Sequence, residues 1–223
     1  ISSWDVSSAI NMGSMFNNAN ALSDGNKCSI HNSFSINDYW LYDWSDSCYQ
    51  FATKEELQTA VNLWVSDKSS ALSTYGEINT WDVSLITDMG SLFRDKTTFN
   101  DDISNWDVSN VTTTRYMFAW ANSFNQNLST WDVSNVTLMK WMFRDADSFN
   151  QNLSTWDVSS VTNMGAMFQG ATSFNQDLSS WDVSNVTDMK NMFNGASNFN
   201  QDLSEWNVSE VTDMSFMFSY AST

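Results

Sequence analysis

A chain of 223 residues with a formal net charge of −17 repels nucleic acid phosphates and anionic membrane surfaces, so neither is an expected partner. Twelve Trp, fifteen Phe and twelve Met exclude a disordered acidic tail and demand a core. No run of about 18 apolar residues occurs, so no membrane insertion is expected, and no signal peptide is visible.

In chain order, residues 1–22 start in the middle of a pattern. Ile1-Ser2-Ser3-Trp4 has the phase of Leu203-Ser204-Glu205-Trp206, so the sequence reads as a mature or internal piece of something longer. A copy runs on through Met12, Met15-Phe16 and Ala19 to Leu22 and is expected to be the end of a first solenoid. Residues 23–52 break the period and are expected to be an irregular insert holding Trp40, Tyr42, Trp44 and both cysteines. Cys28 and Cys48 form a disulfide if the protein is extracellular; two free thiols are the alternative in a cytosolic one. Residues 53–76 are expected to be a helical cap. Thr53-Lys54-Glu55-Glu56 reads as a capping box, and Leu57, Ala60, Val61 and Trp64 fall on one face. A short second turn over 71–75 should stop at Gly76.

Residues 77–223 carry six repeats. Trp81, Trp106, Trp131, Trp156, Trp181 and Trp206 recur every 25 residues, followed by Asp or Asn, Val and Ser. Eleven residues after each Trp comes Met-Phe or Leu-Phe, as in Met167-Phe168; then a small residue and Phe-Asn, as in Ala171, Phe174 and Asn175. Apolar residues at fixed phases mean that each unit buries its hydrophobic side only against its neighbours. Short β segments are expected at Leu-Ser-x-Trp-Asp-Val and Val-Thr-x-Met. One helical or 3₁₀ turn is expected at Met-Phe-x-x-Ala. Asn125, Asn150, Asn175 and Asn200 are expected to bond backbone from coil to coil.

The consensus Met-Phe-x-Gly-Ala-x-Ser-Phe-Asn-Gln-Asp-Leu-Ser-x-Trp-Asp-Val-Ser-Asn-Val-Thr-x-Met resembles the BspA-like, leucine-rich-type surface-protein repeat of bacterial, algal and protist proteins. Residues 164–189 follow it almost position for position, and the likeness covers 1–22 and 77–223. The resemblance implies a leucine-rich-repeat-like solenoid with short parallel β-strands, an extracellular or cell-surface location, an adhesive or structural role and no catalytic residues.

The remaining chemistry is sparse. His31 has no partner that the sequence can place, and no Gly-rich phosphate loop or Cys/His metal spacing occurs, so no enzyme is expected. Asp107, Asp132, Asp157 and Asp182 stack at one phase; they are weak candidates for Ca²⁺, against turn-capping carboxylates with no cofactor. Asn110, Asn127, Asn135, Asn152, Asn185 and Asn207 are N-glycosylation sequons. Ten and fourteen residues after each Trp the copies vary freely. Tyr116, Trp120, Trp141, Phe216 and Tyr220 at these phases should point outward as an interaction surface; the alternative is local packing against the adjacent coil. The leading expectation is an extracellular structural or adhesive protein that assembles end to end into rods or filaments. The alternative is a binding module that recognises a protein or glycan through those aromatics.

Overall fold

The computed structural model describes residues 4–22, 24–44 and 47–221. Among the described residues three α-helices, α1 (Asp24–Phe34), α2 (Lys54–Ser66) and α3 (Lys68–Tyr75), lie between the copy at 4–22 and the six later repeats. The expected junction at Ile1-Ser2-Ser3 and Ser222-Thr223 lies outside the described residues.

Among the described residues, successive repeats are joined by single parallel bridges, not strands. These run Asp88–Thr113–Leu138–Asn163–Asp188–Asp213, one per coil, within the Val-Thr-x-Met segment. The Leu-Ser-x-Trp-Asp-Val segment forms turns instead. The backbone turns every few residues, so a ladder has no room to lengthen.

The Met-Phe stretch is not helical. It is a train of reverse turns: Met117 N–H donates to the Thr114 carbonyl, Ala119 N–H to Tyr116, and Ala121 N–H to Phe118. Alternate N–H groups leave the coil: Tyr116 donates to Lys140, Phe118 to Met142 and Trp120 to Arg144, at 2.8–3.1 Å. A helix would keep these donors to itself. The donors on either side of the Met-Phe pair take positive φ, as at Tyr116 (60°), Trp120 (59°), Trp141 (61°), Asn191 (56°) and Gly195 (73°). At Gly170, φ is 69°, and an added Cβ would strike the Asp145 carboxylate of the preceding coil.

The core is one cluster from Phe51 to Met217. Phe93, Phe118, Phe143, Phe168 and Phe193 stack 5.3–5.7 Å apart within 5° of parallel. Each indole N–H from Trp106 to Trp206 donates to a carbonyl 28 residues earlier, for example Trp156 Nε1 to Leu128 O at 2.9 Å. That bond fits Trp to this phase, because its only polar atom is satisfied in the core. The asparagines bond backbone between coils: Asn125 Oδ1 accepts from Asn150 N–H at 2.9 Å, and Asn150 and Asn175 repeat the contact.

Residues 4–22 have the same turn train. Ser14 and Asn18 take φ near 60°, and Asn17 N–H donates to Ser14. Their core is separate, with Met12 packed on Ile30 and Phe34. The insert is less irregular than expected, because residues 24–34 are helical. Its apolar marks are only Cys28, Ile30 and Phe34, and Gly25 and Asn26 are weak helix formers, so no periodic face announces it. Cys28 and Cys48 are disulfide-bonded, with Cα atoms 4.8 Å apart. Closing 20 residues contributes on the order of 3 kcal/mol by restricting the unfolded chain.

Helix α2 buries Leu57, Ala60, Val61 and Trp64, as its periodicity predicts. Thr53 Oγ1 accepts from Glu56 N–H at 3.2 Å. The return bond of the box goes to Ala52 N–H, not to Thr53. Trp64 Nε1 and Lys68 Nζ both bond Asp101, at 2.9 and 2.7 Å, and Gln58 reaches the Leu92 carbonyl. The two helices therefore cover the apolar face of the Trp81 coil.

Candidate functional site

The variable positions ten and fourteen residues after each Trp do not form a helical face, and they are not all outward: Ala166 is 1% exposed, whereas Tyr116, Trp120 and Trp141 are half-buried. They are the left-handed residues of the turn train. Because the coils stack in register, side chains at one phase in successive coils meet. Tyr116 and Trp141 stack at 4.4 Å, 11° from parallel, and Trp120 lies 6.3 Å from Tyr116. All three are half-buried. Phe216 and Tyr220 stand apart on the last coil, 63% and 84% exposed. Sequence reading grouped five aromatics; stacking joins three of them.

Cations close over these rings. The Arg94 guanidinium lies 5.0 Å from the Tyr116 ring and 4.9 Å from Trp120; Arg144, on the coil after Trp120, lies 5.0 Å from the same Trp120 ring. Arg115 covers Tyr116 and Trp141 at 5.2 and 5.1 Å, and Lys140 sits 4.3 Å over Trp141. Arg94, Arg115 and Arg144 are every arginine in the chain. Sequence reading missed them, although they occupy phases nine and thirteen after Trp, flanking the variable pair. Arg94 pairs with Asp95 at 3.4 Å and Arg144 with Asp145 at 3.1 Å, each through Nε. Among the described residues no carboxylate pairs with Arg115.

The other candidates are occupied by local structure. Oδ1 of Asp107, Asp132 and Asp157 accepts from both N–H and Oγ of the Ser two residues on, at 3.0 and 2.6 Å; Asp182 accepts the Ser184 N–H. The Ser134 hydroxyl, then its N–H, hold Asp132 below the ordinary carboxylate value, and Ser184 does the same for Asp182. Among the described residues, no group of three or more His, Cys, Asp or Glu is placed to hold a metal ion.

The six sequons are exposed but fall into two sets. The amides of Asn110, Asn135 and Asn185 donate to the preceding coil at 2.8 Å. Asn127, Asn152 and Asn207 accept at Oδ1 from the N–H of the Ser two residues on, and among the described residues their amide NH₂ groups have no hydrogen-bond partner. His31 Nδ1 accepts from Trp40 Nε1 and Trp44 N–H, a structural use. A cavity of about 690 Å³ lies where the insert meets the first coils, lined by Trp4, His31, Trp81, Asp82, Asn105 and Asp107 among others.

Stacked 25-residue units with a helical cover at one end and a cation–aromatic patch on the turns define a repeat protein. The family described as "Mycoplasma protein of unknown function, DUF285" matches at residues 1–66, 63–162 and 151–223, and the chain belongs to it. No curated protein and no solved structure matches the chain.

Proposed function

We propose that this chain is an extracellular binding module, a leucine-rich-repeat-like solenoid of adhesive type that engages its partner through the turns around Tyr116, Trp120 and Trp141. The observation that carries this reading is residue choice at positive φ. L-residues with large side chains are disfavoured there; other copies use Ser91, Asp95, Asp145, Ala166, Gly170, Asn191 and Gly195, and only the last coil again carries aromatics, Phe216 and Tyr220. Three aromatics gathered under all the arginines of an acidic chain go against local backbone preference, a feature that clusters at binding sites. The resemblance to BspA-like surface repeats and the Cys28–Cys48 disulfide support an extracellular setting. The test is binding of purified protein to panels of glycans and extracellular matrix proteins. A triple variant Tyr116→Asn, Trp120→Gly, Trp141→Asn, which restores residues suited to positive φ, should lose its ligands while keeping its fold. Equal binding by the two proteins overturns the reading.

A second reading is end-to-end assembly, and it rests on the last described coil. Met214 and Phe218 are 42% and 50% exposed, whereas Met189 and Phe193, at the same phases one coil earlier, are wholly covered. A further coil, of this chain or of a second copy, would cover that face. Sedimentation of the purified 223-residue chain tests this: polymers of 25.3 kDa units favour stacking of copies. A monomer at every concentration, unaffected by Phe216→Ser, removes it.

A further inference from the structure

From the cation–aromatic patch we infer a ligand class: an anionic glycan of low charge density, with one carboxylate per disaccharide. This rests on the patch being the binding surface.

The guanidiniums of Arg94 and Arg144 lie on the two neighbouring coils of Trp120, both about 5 Å from its ring. They occupy one phase two coils apart, a separation of about 10 Å at the ordinary spacing of paired backbones. That is the repeat of a disaccharide in an extended glycan. Contact with the rings restrains the guanidiniums, so less ordering is needed when they bond a carboxylate. Arg115 adds a third guanidinium from the intervening coil, over Tyr116 and Trp141.

Asp95 and Asp145 each engage an Nε of their neighbouring arginine, so a ligand carboxylate binds beside them at the terminal nitrogens. These two acids, and the net charge of −17, act against a dense polyanion. Nucleic acid, with a charge every ~1.7 Å, meets far more repulsion than a sparsely charged sugar chain. A peptide adding as a strand finds no free edge: the N–H groups of Tyr116, Trp120 and Trp141 already donate to the next coil. What the surface offers is side-chain edges at a regular step, which suits a repeating polymer.

The experiment is calorimetric titration of the 223-residue chain with hyaluronan oligosaccharides of ten sugars. Neutral chitin oligosaccharides, heparin and poly-glutamate serve as the other arms. Arg94→Gln/Arg144→Gln should weaken hyaluronan binding at least tenfold, and Lys68→Gln in the cap should leave it unchanged. Circular dichroism melts confirm that each variant folds. Tighter binding of heparin or poly-glutamate than of hyaluronan overturns the charge-density argument. Binding of neutral sugar that survives the arginine changes but is lost with Trp120→Gly overturns the ligand class and leaves the binding surface standing. Binding insensitive to both sets of changes overturns both.

Discussion

Trp141 stacks on Tyr116 across two coils, 4.4 Å between centroids, although both residues hold φ near 60°. The stack is possible because hydrogen bonds from each turn to the next set the backbone, and the same phase in adjacent coils then shares one lateral position. Local strain and cross-coil contact therefore oppose each other at the same residues.

That opposition makes Trp120→Gly informative. Glycine relieves a left-handed position by about 1 kcal/mol, and loss of the cation–π contacts removes a similar amount. Thermal melts should show a net change within about 1 kcal/mol. A loss of several kcal/mol would make Trp120 a structural residue and remove the argument that it is kept for binding.

The stacked phenylalanines set the stability of the repeats. Phe168 is wholly buried and lies 4.0 Å from Phe174, with Phe143 and Phe193 on either side. Phe168→Ala should cost roughly 3–5 kcal/mol. Gln169→Ala, one residue away with its side chain outside the core, should change stability by no more than about 0.5 kcal/mol. Chemical denaturation that found the two equal would reverse the inward and outward assignment.

Thr114 breaks the pattern from within. Met89, Met139, Met164, Met189 and Met214 occupy its phase in the other five coils. Thr114 is 2% exposed, and among the described residues its Oγ1 has no hydrogen-bond partner. Thr114→Met should stabilise the protein by about 1–3 kcal/mol, since a buried hydroxyl without a partner is replaced by the thioether the neighbouring coils pack. A lower melting temperature would mean that this coil has no room for the longer side chain.

Acid should loosen the turns. Hydrogen bonds from Ser134, Ser184 and Ser215 hold Asp132, Asp182 and Asp213 below the ordinary carboxylate value. For a carboxylate lowered on folding, the contribution is complete above the unfolded pKa of about 3.9 and is lost as pH falls through the folded value. Melting temperature should therefore decline below about pH 4. Relief of the general negative charge acts in the opposite direction. At about 1 M salt, where the screening length is roughly 3 Å, that relief is suppressed and the decline remains. A melting temperature that kept rising to pH 2 at high salt would deny these bonds any role.

The sequence by itself determined the 25-residue period, the residues that fill the core and the buried face of helix α2. Each follows from burial alone: an apolar residue that recurs at a fixed phase must meet its own copies, and Leu57, Ala60, Val61 and Trp64 mark a face by spacing. Tertiary structure decided the rest. The Met-Phe stretch has helix-like spacing, yet it becomes a train of turns because its N–H groups find carbonyls in the next coil. Gly170, Gly195, Asn191 and Asp145 were the available sign of positive φ, scattered over several copies. The patch was still less legible. Arg94, Trp120 and Arg144 are separated by about one repeat each, and only the stacking register brings their side chains within contact of one ring.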